Sequence, residues 1–301
     1  EDNHHIFQRG YVADGPGGGR GLRLGGDEDI PRLFGGIGQK AALDWLNLEG
    51  FETIPLKASA LKDAFLDKSL PLIVFGTKEI DIGGTEEIQR FLEGGGAVLA
   101  MASPYKVDVD GGWTLSRNKD DSLLPLFERF GISFLDSLAA DLSCVRANFY
   151  SAEEGQRQNQ SVNYPLWIDL LPQDGAPYGA ATFWASPLSL EKDKAISALE
   201  TSRASWRFLP NKKNPSLLFD TNPFSVPKTA IADPLVQKEK SVLAAKSLAA
   251  NLFVISGDLF ANDLILSLSG GESGDFRNLN YLTSSLLNLT GEKEMADLKQ
   301  K

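Results

Sequence analysis

One phrase recurs along this chain and constrains its fold more than any other feature: an amphipathic run of helical period, a glycine, and a short apolar run bounded by turn residues. Residues 39–49 place Ala42, Trp45 and Leu46 at helical spacing before Gly50, and residues 51–56 follow as a short strand. The apolar run 72–75 precedes a helix over 85–93 with Ile88, Phe91 and Leu92 on one face, then Gly94-Gly95-Gly96 and a strand over 97–102. Residues 123–130 carry Leu123, Leu126, Phe127 and Phe130 on one stripe before Gly131 and a strand at 132–135, and residues 252–256 are followed by a helix over 278–289 that ends at Gly291. A glycine just past a helix supplies the left-handed residue that ends it at low cost. Strands alternating with helices of this length predict an α/β fold, its sheet mostly parallel and covered by helices on both faces.

The rest of the chain is organised around that pattern. Residues 1–38 are glycine-rich and read as loop with one short strand at 22–24. Residues 39–144 form an α/β half. Residues 145–245, rich in Pro, Asn, Ser and aromatics, read as a mixed or antiparallel β-rich extension with strands at 180–185, 195–200, 217–219 and 242–248. Residues 246–291 return to α/β form within the same domain, and 292–301 form a polar tail. The longest apolar runs are far shorter than the roughly 20 residues that span a bilayer.

Charge and residue inventory exclude several functions. A formal net charge of −10 repels duplex nucleic acid on average, and the basic clusters at Lys212-Lys213 and Lys238–Lys240 are short and lack interleaved aromatics. The two histidines, His4 and His5, both lie at the N-terminus, so no Ser or Cys nucleophile has a histidine base elsewhere in the chain. Cys144, the one cysteine, lacks the glycine-flanked elbow that an amidotransferase-like hydrolase would need, and reads as a structural thiol. Gly35-Gly36-Ile37-Gly38-Gln39-Lys40 lacks the Gly-Lys-Ser/Thr of a P-loop, and residues 15–26 do not match the dinucleotide fingerprint. Asp108-Val109-Asp110-Gly111 resembles part of a calcium loop, but Lys106 stands at the first ligand position, and a hairpin turn accounts for it better. The sequence therefore carries no motif for a metal or cofactor, and no catalytic set. The acids Asp120 and Asp121 read as solvated neighbours.

Two readings of function remain. Ligands of open α/β sheets bind outside the carboxyl ends of the strands, which points to Thr77, Ser103, Asp258 and Asn262 as a binding edge. Asp258, in the Gly257-Asp258 turn, equally suits a cap for the backbone that follows. The other reading is a carbohydrate-active or carbohydrate-binding domain that uses loop carboxylates with Trp113, Trp167 and Trp184 as stacking platforms.

The order of segments resembles the GldG family, the auxiliary component of gliding-motility-type ABC transport systems. The resemblance lies in the unit 72–104, with 87–99 as helix, glycine-rich turn and apolar strand ending in Ser103-Pro104; in 123–136; in 196–206; in Gly257-Asp258 with Asn262; and in the closing helix 278–291. It extends over residues 40–295, and the glycine-rich first 35 residues depart from it. It implies a flavodoxin-like or amidotransferase-like domain on the extracytoplasmic side, without a catalytic role. It further implies ABC transporter membrane subunits or associated envelope proteins as partners, and a membrane tether outside residues 1–301.

Overall fold

The computed structural model describes residues 8–14, 38–77, 80–108, 114–119, 121–153, 156–170, 179–211, 218–224, 226, 239–270 and 276–291. The strand expected at 22–24, the glycine clusters between 15 and 37, Asp110, Trp113, Asp120, Lys212-Lys213, Lys238 and the tail 292–301 lie outside the described residues.

The chain begins with β1 (Gln8–Asp14), α1 (Lys40–Leu48) and β2 (Phe51–Lys57), then a 3-10 segment (Ala58–Asp63) and β3 (Leu72–Phe75). α2 (Ile82–Glu93), β4 (Val98–Ala102), the hairpin β5 (Tyr105–Asp108) and β6 (Thr114–Arg117), and α3 (Leu123–Arg129) follow. The β-rich region holds β7 (Ile132–Phe134), β8 (Leu138–Asp141), β9 (Cys144–Glu153), β10 (Gln156–Leu170), β11 (Ala180–Phe183), β12 (Leu188–Leu190), β13 (Ala195–Glu200) and β14 (Ser205–Phe208). The last elements are β15 (Val242–Ser247), β16 (Leu252–Ser256), α4 (Asp263–Gly270) and α5 (Arg277–Thr290).

The main sheet has the order β2-β1-β3-β4-β16-β15-β12-β7, with β13 also paired to β15. The three apolar runs expected to be parallel neighbours are so: Leu72 pairs with Val98, and Val98 with Leu252. The sheet as a whole is not mostly parallel. Its pairings from β2 to β16 are parallel, whereas those of β15, β12, β7 and β13 are antiparallel, and every pairing outside the main sheet is antiparallel too. The reason is topological. A parallel pair needs a crossover of a dozen or more residues, usually a helix, and the described part of 145–245 supplies hairpins instead.

Strand side chains alternate between two faces, and here each face has its own core. Ile73, Phe75, Leu99, Met101, Phe253 and Ile255 pack with Ala42 and Leu46 of α1 and with Leu279, Leu282 and Leu286 of α5. Leu72, Val74, Val98, Ala100, Leu252 and Val254 pack on the other side with Ile88, Phe91 and Leu92 of α2 and with Leu123, Leu126 and Phe127 of α3. Burial on both faces explains why these strands read as unbroken apolar runs rather than alternating ones. A third core lies under the antiparallel strands, built around Tyr105, Tyr164, Trp167, Phe183, Trp184 and Trp206.

Three elements differ from the sequence reading. β1 lies in the interior of the sheet, within a segment that reads as loop apart from a strand at 22–24. α2 starts at Ile82 rather than Thr85, because the Asp81 carboxylate accepts the Gly84 amide at 2.8 Å and so offsets two glycines in the first turn. Residues 218 and 219 are not in a strand, although the apolar run 217–219 predicts one.

Candidate functional site

The carboxyl ends of β3, β4 and β16 lie side by side, and the ladder continues one residue beyond them. The Gly76 amide donates to the Met101 carbonyl at 2.9 Å, and the Gly257 amide to that of Ala102 at 2.8 Å. Both glycines then turn the chain at positive φ, 77° and 114°, where a side chain would be strained. A Cβ on Gly76 would stand 3.7 Å from the Asp258 Cβ, so the end of β3 and the turn after β16 approach closely.

Thr77 is buried and its hydroxyl donates to Asp121. Asp121 also accepts from the Asn118 side chain at 3.0 Å and from the amides of Leu123 at 2.9 Å and Leu124 at 3.3 Å, which secures the first turn of α3. The charge of Asp258 reaches this carboxyl and opposes its ionisation. The edge is therefore an acidic shelf of Thr77, Asp121 and Asp258, with Asp258 half-buried and Thr77 beneath the surface.

The other two expected residues are placed differently. Ser103 is buried, and its hydroxyl accepts the Tyr105 amide at 3.1 Å, turning the chain from β4 into β5. Asn262 is buried as well and accepts the Leu264 amide at 3.0 Å, as a cap on α4. In the turn that holds Asp258, the amides of Phe260 and Asn262 bond to the carbonyls of Gly257 and Leu259.

Asp121 escapes a sequence reading that pairs it with Asp120 as a solvated acid. The available signal is its position: Asp121-Ser122 directly precedes an apolar helical run, a helix-start signature. Burial, reinforced by Asp258, holds the Asp121 carboxyl above its ordinary pKa, outweighing the bonds from Thr77, Leu123 and Leu124 that favour its charge. A carboxyl raised in this way takes up a proton on folding. Its contribution to stability is fullest below the unfolded value of about 4 and is lost as pH rises through the folded value. Asp121→Asn keeps an acceptor for the helix amides and removes the ionisation, so the stability of the variant relative to the parent should increase from pH 4 to pH 7 in urea titrations. A difference that stays flat across that range would mean that Asp121 titrates as an exposed acid.

The N-terminus of α1, where an anion would seat, is filled from within the chain. Asp263, far along the sequence, accepts the Lys40 amide at 3.1 Å and the Ala41 amide at 2.8 Å. Asp263→Ala should cost about 0.5–2 kcal/mol in denaturant unfolding, the usual loss for a helix cap, and Asp263→Asn less. An unchanged midpoint in Asp263→Ala would refute the capping role.

The remaining candidates follow from burial. Trp167 and Trp184 are 2% and 3% exposed, inside the third core, so neither offers a face to a sugar. Burial, with the charges of Asp141 and Asp169, pushes the Cys144 thiol up to about 11, which keeps it protonated and weakly nucleophilic at neutral pH. Among the described residues no group of three His, Cys, Asp or Glu could hold a metal ion, and no helix is long and apolar enough to cross a membrane.

These features define a mixed α/β domain with an acidic edge at the carboxyl ends of its parallel strands. The chain belongs to the ABC-type uncharacterized transport system family of auxiliary components, whose model matches residues 33–283. No curated protein matches it. Among solved structures it is similar to the mmIFT52 N-terminal domain, at 14% identity and TM-score 0.48, covering 94% of this chain and 97% of that one. It is also similar to a ThuA-like protein of Bacteroides uniformis, at 10% identity and TM-score 0.40, covering 94% and 91%. A cytoplasmic protein of Salmonella typhimurium gives 9% identity and TM-score 0.38, covering 93% and 98%. At these identities and scores the structural likenesses carry no functional inference.

Proposed function

We propose that this domain is a non-catalytic auxiliary part of an ABC transport system, of the gliding-motility type, standing on the extracytoplasmic side and tethered to the membrane outside residues 1–301. It works by contact with ABC transporter membrane subunits or associated envelope proteins. The contact, or a ligand that regulates it, engages the acidic edge where Asp258 meets Asp121 and Thr77. In this reading the parallel half, with its strand order β2-β1-β3-β4-β16, is flavodoxin-like, and such sheets use that edge for binding. The observation that carries the reading is the family match over 33–283, joined to a half-buried acid at the strand ends.

The test is affinity recovery of the tagged full-length protein from membranes of its own cells after mild crosslinking. Recovery should enrich the ATPase and membrane subunits of one ABC system, and Asp258→Asn should reduce that enrichment while the melting midpoint stays where it was. If no transporter component is enriched, the partner assignment fails. If enrichment is equal with Asp258→Asn, contact lies elsewhere than on this edge.

A further inference from the structure

The chain passes between the main sheet and the layer around the third core at two adjacent places. Residues 135–137 lead from β7 of the main sheet to β8, and residues 184–187 lead back from β11 to β12. The two crossings run side by side: the Leu135 amide donates to the Pro187 carbonyl and the Ala139 amide to the Ala185 carbonyl, each at 2.8 Å. A tight turn, in which the Ser137 amide donates to the Leu135 carbonyl at 2.8 Å, takes up the extra length of the first crossing. Ser137 and Ser186 are thereby enclosed between the same two bonds, one on each crossing. They are 2% and 0% exposed, and neither hydroxyl has a hydrogen-bond partner among the described residues.

We propose that Ser137 and Ser186 line one enclosed site that binds a single water molecule, which bridges the two crossings. A buried hydroxyl without a partner is costly, and two of them on facing segments call for a shared one. Leu138, Ala139 and Ala185 beside them are fully buried and apolar, so no side chain there can serve the hydroxyls instead. Each hydroxyl offers one donor and two acceptor lone pairs, a mixture that suits a neutral guest able both to give and to accept. An ion would need charge, and Asp136, the acid next to Ser137, is engaged by the Tyr105 hydroxyl and the Arg117 guanidinium, each donating at 2.7 Å. Ser256 at the end of β16 adds a third hydroxyl to the seam, donating to the Ser186 carbonyl at 2.5 Å. A water with about three such partners is a lasting part of a protein interior.

A dry orphan and a water-bound hydroxyl respond to truncation in opposite ways. Replacing a dry orphan by alanine removes a buried polar group that makes no bond, so stability holds or rises. Replacing a water-bound hydroxyl takes a partner from the water, so stability falls. In the full chain, the urea midpoints of Ser137→Ala and Ser186→Ala should both lie below that of the parent, and the double variant should lose less than the two single losses together, because both act on the same water. Oxygen-17 magnetic relaxation dispersion, which reads long-lived internal water, should lose amplitude in the double variant. A midpoint that holds or rises in either single variant refutes the bridge. Additive losses refute a shared site, and an unchanged dispersion amplitude in the double variant refutes the bound water.

Discussion

Trp184→Ala should destabilise the domain by about 3–5 kcal/mol, the range for truncating a buried aromatic, read as a lowered urea midpoint. Trp184 follows the last residue of β11 and is 3% exposed. Its ring stacks on Phe183 with centroids 4.7 Å apart and planes at 25°, and its indole N–H donates to the Tyr164 hydroxyl at 2.8 Å. That hydroxyl donates onward to the Thr221 carbonyl at 2.7 Å, so the indole fixes a chain of bonds as well as filling volume. The backbone holds Trp184 at φ 52°, a left-handed conformation that is a genuine outlier for a bulky residue and persists only where the surroundings over-determine it. Trp184→Phe separates the two contributions: it keeps most of the ring, loses the hydrogen bond, and should cost less than half as much. A loss below about 1 kcal/mol in Trp184→Ala would show that the third core does not depend on this ring.

Asn278→Ala should cost about 3 kcal/mol or more, by another route. Asn278 is buried in the first turn of α5, and its amide serves three backbone groups at 2.7 Å each. It accepts from the Ala181 N–H and donates to the carbonyls of Ala181 and Phe260. Truncation leaves all three without this partner, at about 1–3 kcal/mol for each buried group left unsatisfied. Asn278→Asp keeps the shape but turns a carboxylate oxygen toward two carbonyls, so it should be comparably unstable at neutral pH. Burial beside carbonyls raises the carboxyl's folded pKa, so the protonated acid can donate and this variant should regain stability as pH falls. Circular-dichroism melts at pH 5 and pH 8 read both effects, and a pH-independent Asn278→Asp would refute the bonding scheme. Because Phe260 lies in the turn after Asp258, loosening this bond should also disturb the acidic edge.

The parts of the fold that are legible in the sequence are those where one physical demand dominates. Leu72–Phe75 and Leu252–Ser256 are buried on both faces, and a run of four or five apolar residues between turn residues has few other uses. Helix ends are legible for the same reason: Gly50, Gly95, Gly131 and Gly291 all take the positive φ that stops a helix. β1 is not legible, since Arg9, Gly10 and Asp14 break the apolar run that an interior parallel strand ordinarily shows. β9 and β10 are hidden because 156–163 is polar, and its order comes from backbone pairing with 146–153 rather than from propensity. At the site, Thr77 and Asp258 follow from strand ends alone. Asp121 and the capping role of Asn262 depend on helix starts, and the sequence reading contains no α4. Without that helix, its cap passes for a ligand-binding residue.

The position of β16 has a consequence for how the protein is made. Val98 of β4 pairs with Leu252, so the central strand closest to the middle of the chain waits for its partner until most of the polypeptide has left the ribosome. At synthesis rates of about 5–20 residues per second that wait lasts on the order of ten to thirty seconds, during which β4 presents an unpaired edge of Val, Leu, Ala and Met. Pairings so distant in sequence slow folding and leave the nascent chain open to self-association.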